Sequence, residues 1–153
     1  MNLASGASTF LTLGNLLWVG LQDGSLVSID PVAAGLTGGA IDVAPDVDAM
    51  VSTPSGLWVS TFDGTAARVD LAGGAVTRRV ALPGSGSGIA FAGGHVWVSV
   101  YDRALAVELN PATGALLGAI HTGGRPRESV VVGNLLWVLD EGAGKLTPVP
   151  PAD

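Results

Sequence analysis

The hydrophobic positions of this chain form short runs that are separated by clusters of Gly, Asp, Asn and Pro. Residues 88–122 show the pattern plainly: the apolar runs are "GIAFAG", "HVWVSVY", "LAVELN" and "LLGAIHT", and the pieces "DR" and "NPATG" separate the later ones. Runs of this length predict β-strands, because helices need longer stretches of helical period. We name the strands of one such unit A, B, C and D in chain order.

The same unit occurs four times along the chain. Its marker is a tryptophan in strand B that is followed by valine, and Trp18, Trp58, Trp97 and Trp137 are 40, 39 and 40 residues apart. A fixed period in this range is typical of stacked supersecondary units. Because each tryptophan occupies the same strand position, we interpret all four as structural residues that pack between units.

Turn residues indicate antiparallel pairing inside each unit. Asp23-Gly24 and Asp63-Gly64 lie between strands B and C and predict hairpins, since Gly accepts a positive φ. Four antiparallel strands in about forty residues, repeated in tandem, predict an all-β propeller built as a single domain. The predicted blades span approximately residues 4–43, 44–82, 83–122 and 123–153.

The two ends of the chain complement each other. The predicted last blade stops after strand C, at "KLTPVPPAD", and so lacks its outer strand. Residues 1–4 align with the ends of D strands elsewhere, and we predict that they supply this strand within the same chain or to a partner chain. Two copies would give eight blades, so we expect a half-propeller that closes as a homodimer. A fragment of a longer chain and a monomeric four-bladed ring are the alternatives.

Composition and charge exclude some classes of binding partner. The 153 residues, 48% of them hydrophobic and 13% charged, suffice for one folded domain. The net charge of -6 opposes binding to nucleic-acid phosphates, and the longest nearly apolar run, residues 130–139, is too short to span a membrane. We therefore expect neither nucleic acid nor membrane as a partner, and the residues fix no cellular compartment.

Two segments resemble a known family: "GGRPRESVVVGNLLWVLDEGAGKL" and "GNLLWVGLQDGSLVSIDP". They resemble the bacterial YVTN and NHL-like propeller repeats, including the streptogramin-lyase-like (virginiamycin B lyase-like) group. The resemblance implies a β-propeller over nearly the whole chain and permits an extracytoplasmic location, but these repeats serve many roles. It also implies that a related lyase would use His and Glu residues on one face to bind a metal and assist elimination.

The chain offers no such set in its sequence. His95 and His121 are the only histidines, they occupy different repeat positions, and no His-x-Glu motif or Glu/His pair is visible. "GSGSG" at residues 84–88 precedes a strand and lacks the P-loop lysine, so we interpret it as a D–A connection and not as a phosphate loop. We predict no catalytic residue, no metal and no cofactor, and we do not expect an enzyme.

The D–A and B–C connections of every blade are predicted to lie on one face of the ring. This face would hold eight of the thirteen acidic residues and four basic residues: Asp23, Asp46, Asp48, Asp63, Asp102, Glu128, Asp140 and Glu141 with Arg103, Arg125, Arg127 and Lys145. Turn geometry alone is the alternative explanation for Asp23, Asp63 and Asp102. Tyr101, Arg125 and Arg127 depart from the repeat consensus, and turn geometry does not require them.

The sequence therefore predicts a non-catalytic binding module that self-assembles and presents an acidic loop face to a polar or cationic ligand or peptide. The predicted binding residues are Asp46, Asp48, Tyr101, Asp102, Arg103, Arg125, Arg127, Glu128, Asp140 and Glu141. A metal-dependent lyase-like enzyme that is active only as an assembled ring is one alternative. An excised or engineered propeller fragment with a purely structural role is another.

Overall fold

The computed structural model describes residues 2–149, which form four antiparallel sheets in succession along the chain. Blade 1 contains β1 (Ala7–Leu13), β2 (Leu16–Leu21), β3 (Ser25–Asp30) and an outer strand broken into β4 (Gly35–Leu36) and β5 (Ile41–Asp42). Blade 2 contains β6 (Val47–Thr53), β7 (Gly56–Thr61), β8 (Thr65–Asp70) and β9 (Ala75–Ala81). Blade 3 contains β10 (Gly86–Ala92), β11 (His95–Val100), β12 (Leu105–Leu109) and β13 (Leu116–His121). Blade 4 contains β14 (Pro126–Val132), β15 (Leu135–Asp140) and β16 (Lys145–Val149).

These sheets confirm the predicted all-β fold with repeated blades. Every neighbouring pair of strands is antiparallel, and each hairpin register places the tryptophan of strand B opposite a residue of strand C, as in Trp97 opposite Glu108. A single turn of 3-10 helix, Tyr101–Arg103, replaces the Asp-Gly turn in blade 3. No helix in residues 2–149 is long and apolar enough to cross a membrane.

The ends of the chain are described only in part. Residues 1–4 are predicted to supply the outer strand of the last blade, and Met1 lies outside the described residues, as do residues 150–153. Residues 2–4 form no strand, and Leu3 packs against the buried cluster of Val19, Leu21, Val27 and Ile29 on blade 1. Blade 4 has three strands within the described part of the chain.

The A strands lie innermost and contact one another from blade to blade, in the order β1, β6, β10 and β14. Each A strand contains a β-bulge near its start. A bulge re-aims its side chain, and the Ser87 hydroxyl donates a 2.8 Å hydrogen bond to the Pro126 carbonyl of the next blade. The bulge positions of the four blades are Ser8, Asp48, Ser87 and Arg127.

One hydrophobic cluster fills each interface between consecutive blades. Trp18, Trp58 and Trp97 are buried in these clusters, whereas Trp137 is only half-buried because no described residue covers that side of blade 4. Trp58 also donates a 3.2 Å hydrogen bond from Nε1 to the Pro111 carbonyl of blade 3. Among the described residues, no such cluster joins blade 4 to blade 1.

The "GSGSG" segment serves close packing between blades. Its last three residues already belong to β10, so the strand starts earlier than the apolar run predicted. A Cβ at Gly88 would lie 2.7 Å from Glu128 Cα and 2.8 Å from the Arg127 carbonyl oxygen. Glycine is therefore needed at this position because two backbones approach each other beside the axis.

Candidate functional site

The D–A and B–C connections lie together at one end of the blades, and backbone hydrogen bonds join them. The Phe62 amide donates to the Asp46 carbonyl at 2.8 Å, and the Tyr101 amide donates to the Ser85 carbonyl at the same distance. In blade 4 the Glu141 amide donates to the Arg125 carbonyl at 2.9 Å. We call this end of the blades, formed by the D–A and B–C connections and the starts of the A strands, the loop face.

Several acidic side chains of the loop face bind backbone amides of the connections. Asp102 Oδ1 accepts from the Ser85 amide at 2.8 Å, and the fully buried Asp140 accepts through Oδ1 from Arg125 at 2.7 Å and from Ala143 at 2.9 Å. These carboxylates fasten one connection to its neighbour.

The Asp-Gly turns of blades 1 and 2 use their carboxylates locally. Asp23 Oδ1 accepts from the amide and the hydroxyl of Ser25 at 3.0 and 2.7 Å, and these bonds lower the pKa of Asp23 below its ordinary value. Asp63 Oδ1 accepts from the Thr61 hydroxyl at 2.5 Å. Both side chains hold their own hairpin turns.

A second group lies where the A strands begin, and we call it the channel-mouth cluster: Asp48, Arg127 and Glu128. Arg127 reaches from blade 4 to blade 2, where its Nη2 lies 3.2 Å from Asp48 Oδ1. Burial raises the pKa of Asp48 while Arg127 opposes the rise. Burial also raises the pKa of Glu128, and the negative charge of Asp48 raises it further, again against Arg127. The single guanidinium of Arg127 therefore stabilises the negative charges of both carboxyl groups.

The channel-mouth cluster borders a cavity of 340 Å³ between blades 1, 2 and 4. Asp46, Asp48, Arg127 and Phe62 line it together with Ser8, Gln22 and Val47. Asp46 is exposed and adopts a left-handed backbone, with φ at 56°. A cation in this cavity would meet the carboxylates of Asp46 and Asp48 and the Phe62 ring, and it would compete with Arg127 for Asp48.

An aromatic row continues from this cavity across the loop face. The Phe62 and Tyr101 rings lie 5.6 Å apart between centroids and are tilted by 52°. Arg125 Cζ lies 5.8 Å from the Tyr101 centroid, within the range of a cation–π contact. Tyr101, Arg103 and Arg125 line a second, open cavity of 690 Å³ with Asp102, Ala104, Gly124 and Gly142.

Phe62 was missing from the residues that the sequence singled out. The sequence contained the information needed to find Phe62, because Phe62 follows Trp58 by the same four positions that separate Tyr101 from Trp97. Gln22 and Glu141 occupy this position in the other blades. A comparison by repeat position would have placed all four on one ring of the loop face.

The prediction that the chain contains no Glu/His pair was wrong. His95 Nδ1 lies 2.6 Å from Oε1 of the buried Glu108. The two residues are thirteen positions apart and meet because β11 and β12 pair. His95 begins β11 and therefore lies at the opposite end of blade 3 from the loop face. Within residues 2–149, no group of three His, Asp, Glu or Cys residues is placed to hold a metal ion.

Comparison with known proteins establishes the fold. No protein-family model matches this chain, and no curated protein matches it by sequence. The chain is similar to the computationally designed Ika4 protein, with a TM-score of 0.81 at 18% identity over 99% of this chain and 94% of that one. It is similar to the designed Ika8 protein with a TM-score of 0.76 at 19% identity, over 94% of this chain and 45% of that chain.

A natural protein gives the same result. The β-propeller domain of Cps50 (Swd1) from Myceliophteria thermophila matches with a TM-score of 0.77 at 14% identity, over 95% of this chain and 54% of that one. The chain thus spans about half the length of Ika8 and of the Swd1 domain. At these identities the likeness concerns the fold alone, and the fold is a β-propeller with four blades in this chain.

Proposed function

We propose that this chain is a non-catalytic binding module whose loop face takes a basic peptide or a comparable polar cation. The observation that carries the proposal is the 340 Å³ cavity at the channel mouth, where Asp46, Asp48 and Phe62 line an open space together with Arg127, which already pairs with Asp48. Carboxylates attract a cation, and an aromatic face adds a cation–π contact.

The charges of the channel-mouth cluster favour a further cation. Burial raises the pKa of Asp48 and of Glu128, and the charge of Asp48 raises the pKa of Glu128 further, while Arg127 opposes the rise at both carboxyl groups. A bound cation would relieve the repulsion between the two carboxylates, so its binding strengthens as the pH rises and both carboxyls ionise.

The aromatic row supports an extended ligand. Phe62 borders the channel-mouth cavity, and Tyr101 with Arg125 lies next along the loop face. A peptide with one basic residue in the cavity has an aromatic and polar path along which its neighbouring residues can pack.

We also propose that the chain assembles with a second copy and that its repeats belong to the YVTN and NHL-like propeller repeats. Assembly is compatible with a chain of four blades that spans about half of Ika8. The repeat motifs around Trp18 and Trp137 support the family assignment. An enzyme of the lyase-like group would need a metal-binding set, and the His95–Glu108 pair lies at the other end of the blade.

The test is fluorescence anisotropy with a labelled oligoarginine peptide and an oligoglutamate peptide of equal length. We expect binding of the first only, and Asp48→Asn should weaken it about tenfold, which is about 1.4 kcal/mol. Phe62→Ala should weaken it by a smaller factor through loss of the cation–π contact. The control Asp42→Asn makes the same charge change on the exposed outer strand β5, away from the cavity. Equal losses for Asp48→Asn and Asp42→Asn would reduce the effect to net charge and contradict the site.

A further inference from the structure

The last blade has an apolar face that no described residue covers. Val130, Leu139 and Leu146 lie on the Trp137 side of blade 4, and they are 57%, 41% and 57% exposed. The repeat positions that correspond to Leu146 are Leu26, Ala66 and Ala106, which are 0%, 0% and 1% exposed. The Trp137 side of blade 4 therefore has the composition of an internal interface without a neighbour. We call it the blade 4 end face.

The first blade exposes the surface that would complete such an interface, on the side away from Trp18. Phe10 is 74% exposed, whereas Met50 and Ile89, at the same repeat position, are 9% and 6% exposed. A cavity of 550 Å³ opens at the turn end of this side of blade 1, and Leu17, Pro31 and Val32 line it with Thr12, Gly14, Asn15, Leu16 and Asp30. We call the surface formed by Phe10, Leu17 and this cavity the blade 1 end face.

The internal interfaces show how two such faces fit together. Between blades 2 and 3, Trp58 Nε1 donates to the carbonyl of Pro111, which follows strand C as Pro31 does in blade 1. Between blades 3 and 4, the hydroxyls of Ser99 and Ser129 lie 2.9 Å apart. Ser99 follows its tryptophan by two positions, as Leu139 does, and Ser129 precedes its tryptophan by eight, as Phe10 does.

We propose that the blade 4 end face of one copy docks on the blade 1 end face of a second copy. Trp137 enters the 550 Å³ cavity and donates to the Pro31 carbonyl, while Leu139 meets Phe10. Because each copy carries both faces, two copies make this contact twice and close one ring. The inference rests on the self-association within the proposed function and names its surface.

A second copy is the occupant that fits both faces. Each face lacks the partner that the other supplies, residue position by residue position. The positions that meet at the centre, Trp137, Leu139 and Phe10, are all apolar, while each face also carries one acidic residue, Glu128 on blade 4 and Asp30 on blade 1. Leu3 packs on Val19 and Ile29, beside the open Phe10 and the cavity, and it must leave when the second copy docks. A buried tryptophan that fills a pocket is a common centre of binding energy in such interfaces.

The direct test is a disulfide between copies. The chain contains no cysteine, so the double variant Phe10→Cys with Leu139→Cys carries the only two thiols. The distance between the Ser99 and Ser129 hydroxyls indicates that these positions are close enough for a bond. Oxidation at micromolar concentration should give a covalent dimer and no larger species, since both ends of each chain are then used. The matched control, Phe10→Cys with Leu116→Cys, places the second thiol on the exposed outer strand of blade 3 and should form no covalent dimer under the same oxidation.

Light scattering on the wild-type chain and on Trp137→Ala completes the test. Trp137→Ala should raise the dissociation constant of the dimer by about 100-fold or more, with an unchanged far-ultraviolet spectrum. A dimeric wild type, together with a double-cysteine variant that forms no bond between positions 10 and 139, would overturn the docking surface while leaving self-association in place. A wild-type chain that stays monomeric at all concentrations would overturn both. A ladder of covalent multimers would overturn the closed ring.

Discussion

At the scale of single residues, the channel-mouth cluster makes stability depend on pH in an unusual direction. Burial raises the pKa of Glu128 above its ordinary value, and the charge of Asp48 raises it further. The folded chain therefore holds a proton that the unfolded chain releases at lower pH. The free energy of unfolding should fall as the pH rises from about 4 through this window. We predict that Glu128→Gln reduces this fall and leaves the part that the raised pKa of Asp48 contributes.

Urea unfolding of the wild type and Glu128→Gln between about pH 4 and about pH 7 measures the effect. The stability difference between them should grow with pH in favour of the variant and then level off. Glu141→Gln is the control, because it makes the same change on the same face at a glutamate outside the channel-mouth cluster. The same pH profile in both variants would remove the cluster as the cause.

Gly88 provides a second test of packing beside the axis. Its missing Cβ leaves room for the backbone of Arg127 and Glu128 in the next blade. We predict that Gly88→Ala lowers the free energy of unfolding by about 1–3 kcal/mol, because the added methyl group forces two blades apart. Gly39→Ala should change it by less than about 0.5 kcal/mol, since nothing lies within 4 Å of a Cβ there. Denaturant unfolding measures the change in the free energy of unfolding for both variants. Equally small changes for Gly88→Ala and Gly39→Ala would contradict the close approach of the two backbones at Gly88.

At the scale of elements, Asp140 fastens the two loop-face connections of blade 4. Its buried Oδ1 accepts two backbone amides, those of Arg125 and Ala143. Asp140→Ala leaves both donors without this acceptor, and we predict a loss of about 2–3 kcal/mol in the free energy of unfolding. Asp140→Asn keeps an acceptor oxygen and should lose less. Thermal unfolding of the two Asp140 variants measures these losses, with Glu141→Ala as a control at an exposed neighbouring residue. Equal losses of stability in Asp140→Ala and Asp140→Asn would contradict the role of Oδ1 as the acceptor.

Most elements could be predicted from the sequence, and the exceptions have physical reasons. The tryptophan period and turn residues indicate the strands, but the outer strand of blade 1 is broken because "GGA" at residues 38–40 interrupts its pairing with β3, which Thr37 still contacts through Ser28. The His95–Glu108 pair escaped detection because it depends on the register between β11 and β12. A search for local motifs detects residues that are close along the chain, but it does not detect residues that become neighbours when two strands pair.

At the scale of the molecule, the residues that depart from the repeat are the ones that mark the candidate site. Arg127 and Asp48 stand at bulge positions that hold serine in the other two blades, and they meet across the mouth of the channel. Asp102 and Asp140 looked the same in sequence as surface acids, yet both bind backbone amides. Charge alone could not separate these roles, since burial and partner geometry decide whether a carboxylate is available to a ligand.

The docking of two copies links the stability of the whole molecule to its concentration. A second copy that binds only the folded chain shifts unfolding by mass action, so the apparent Tm should rise with protein concentration. Raising the concentration from equal to the dissociation constant to about 100 times that value should add about 2 kcal/mol to the free energy of unfolding. For a chain of this size that corresponds to several degrees in Tm.

Calorimetry of the wild type and of Trp137→Ala over the same concentration series tests this coupling. Trp137 lies at the edge of the fold and is only half-buried, so its loss should leave the internal interfaces of Trp18, Trp58 and Trp97 in place. We expect a Tm for Trp137→Ala that does not change with concentration and equals that of the dilute wild type. A lower Tm at every concentration, with the same slope as the wild type, would instead make Trp137 a stabilising residue of blade 4 with no part in association.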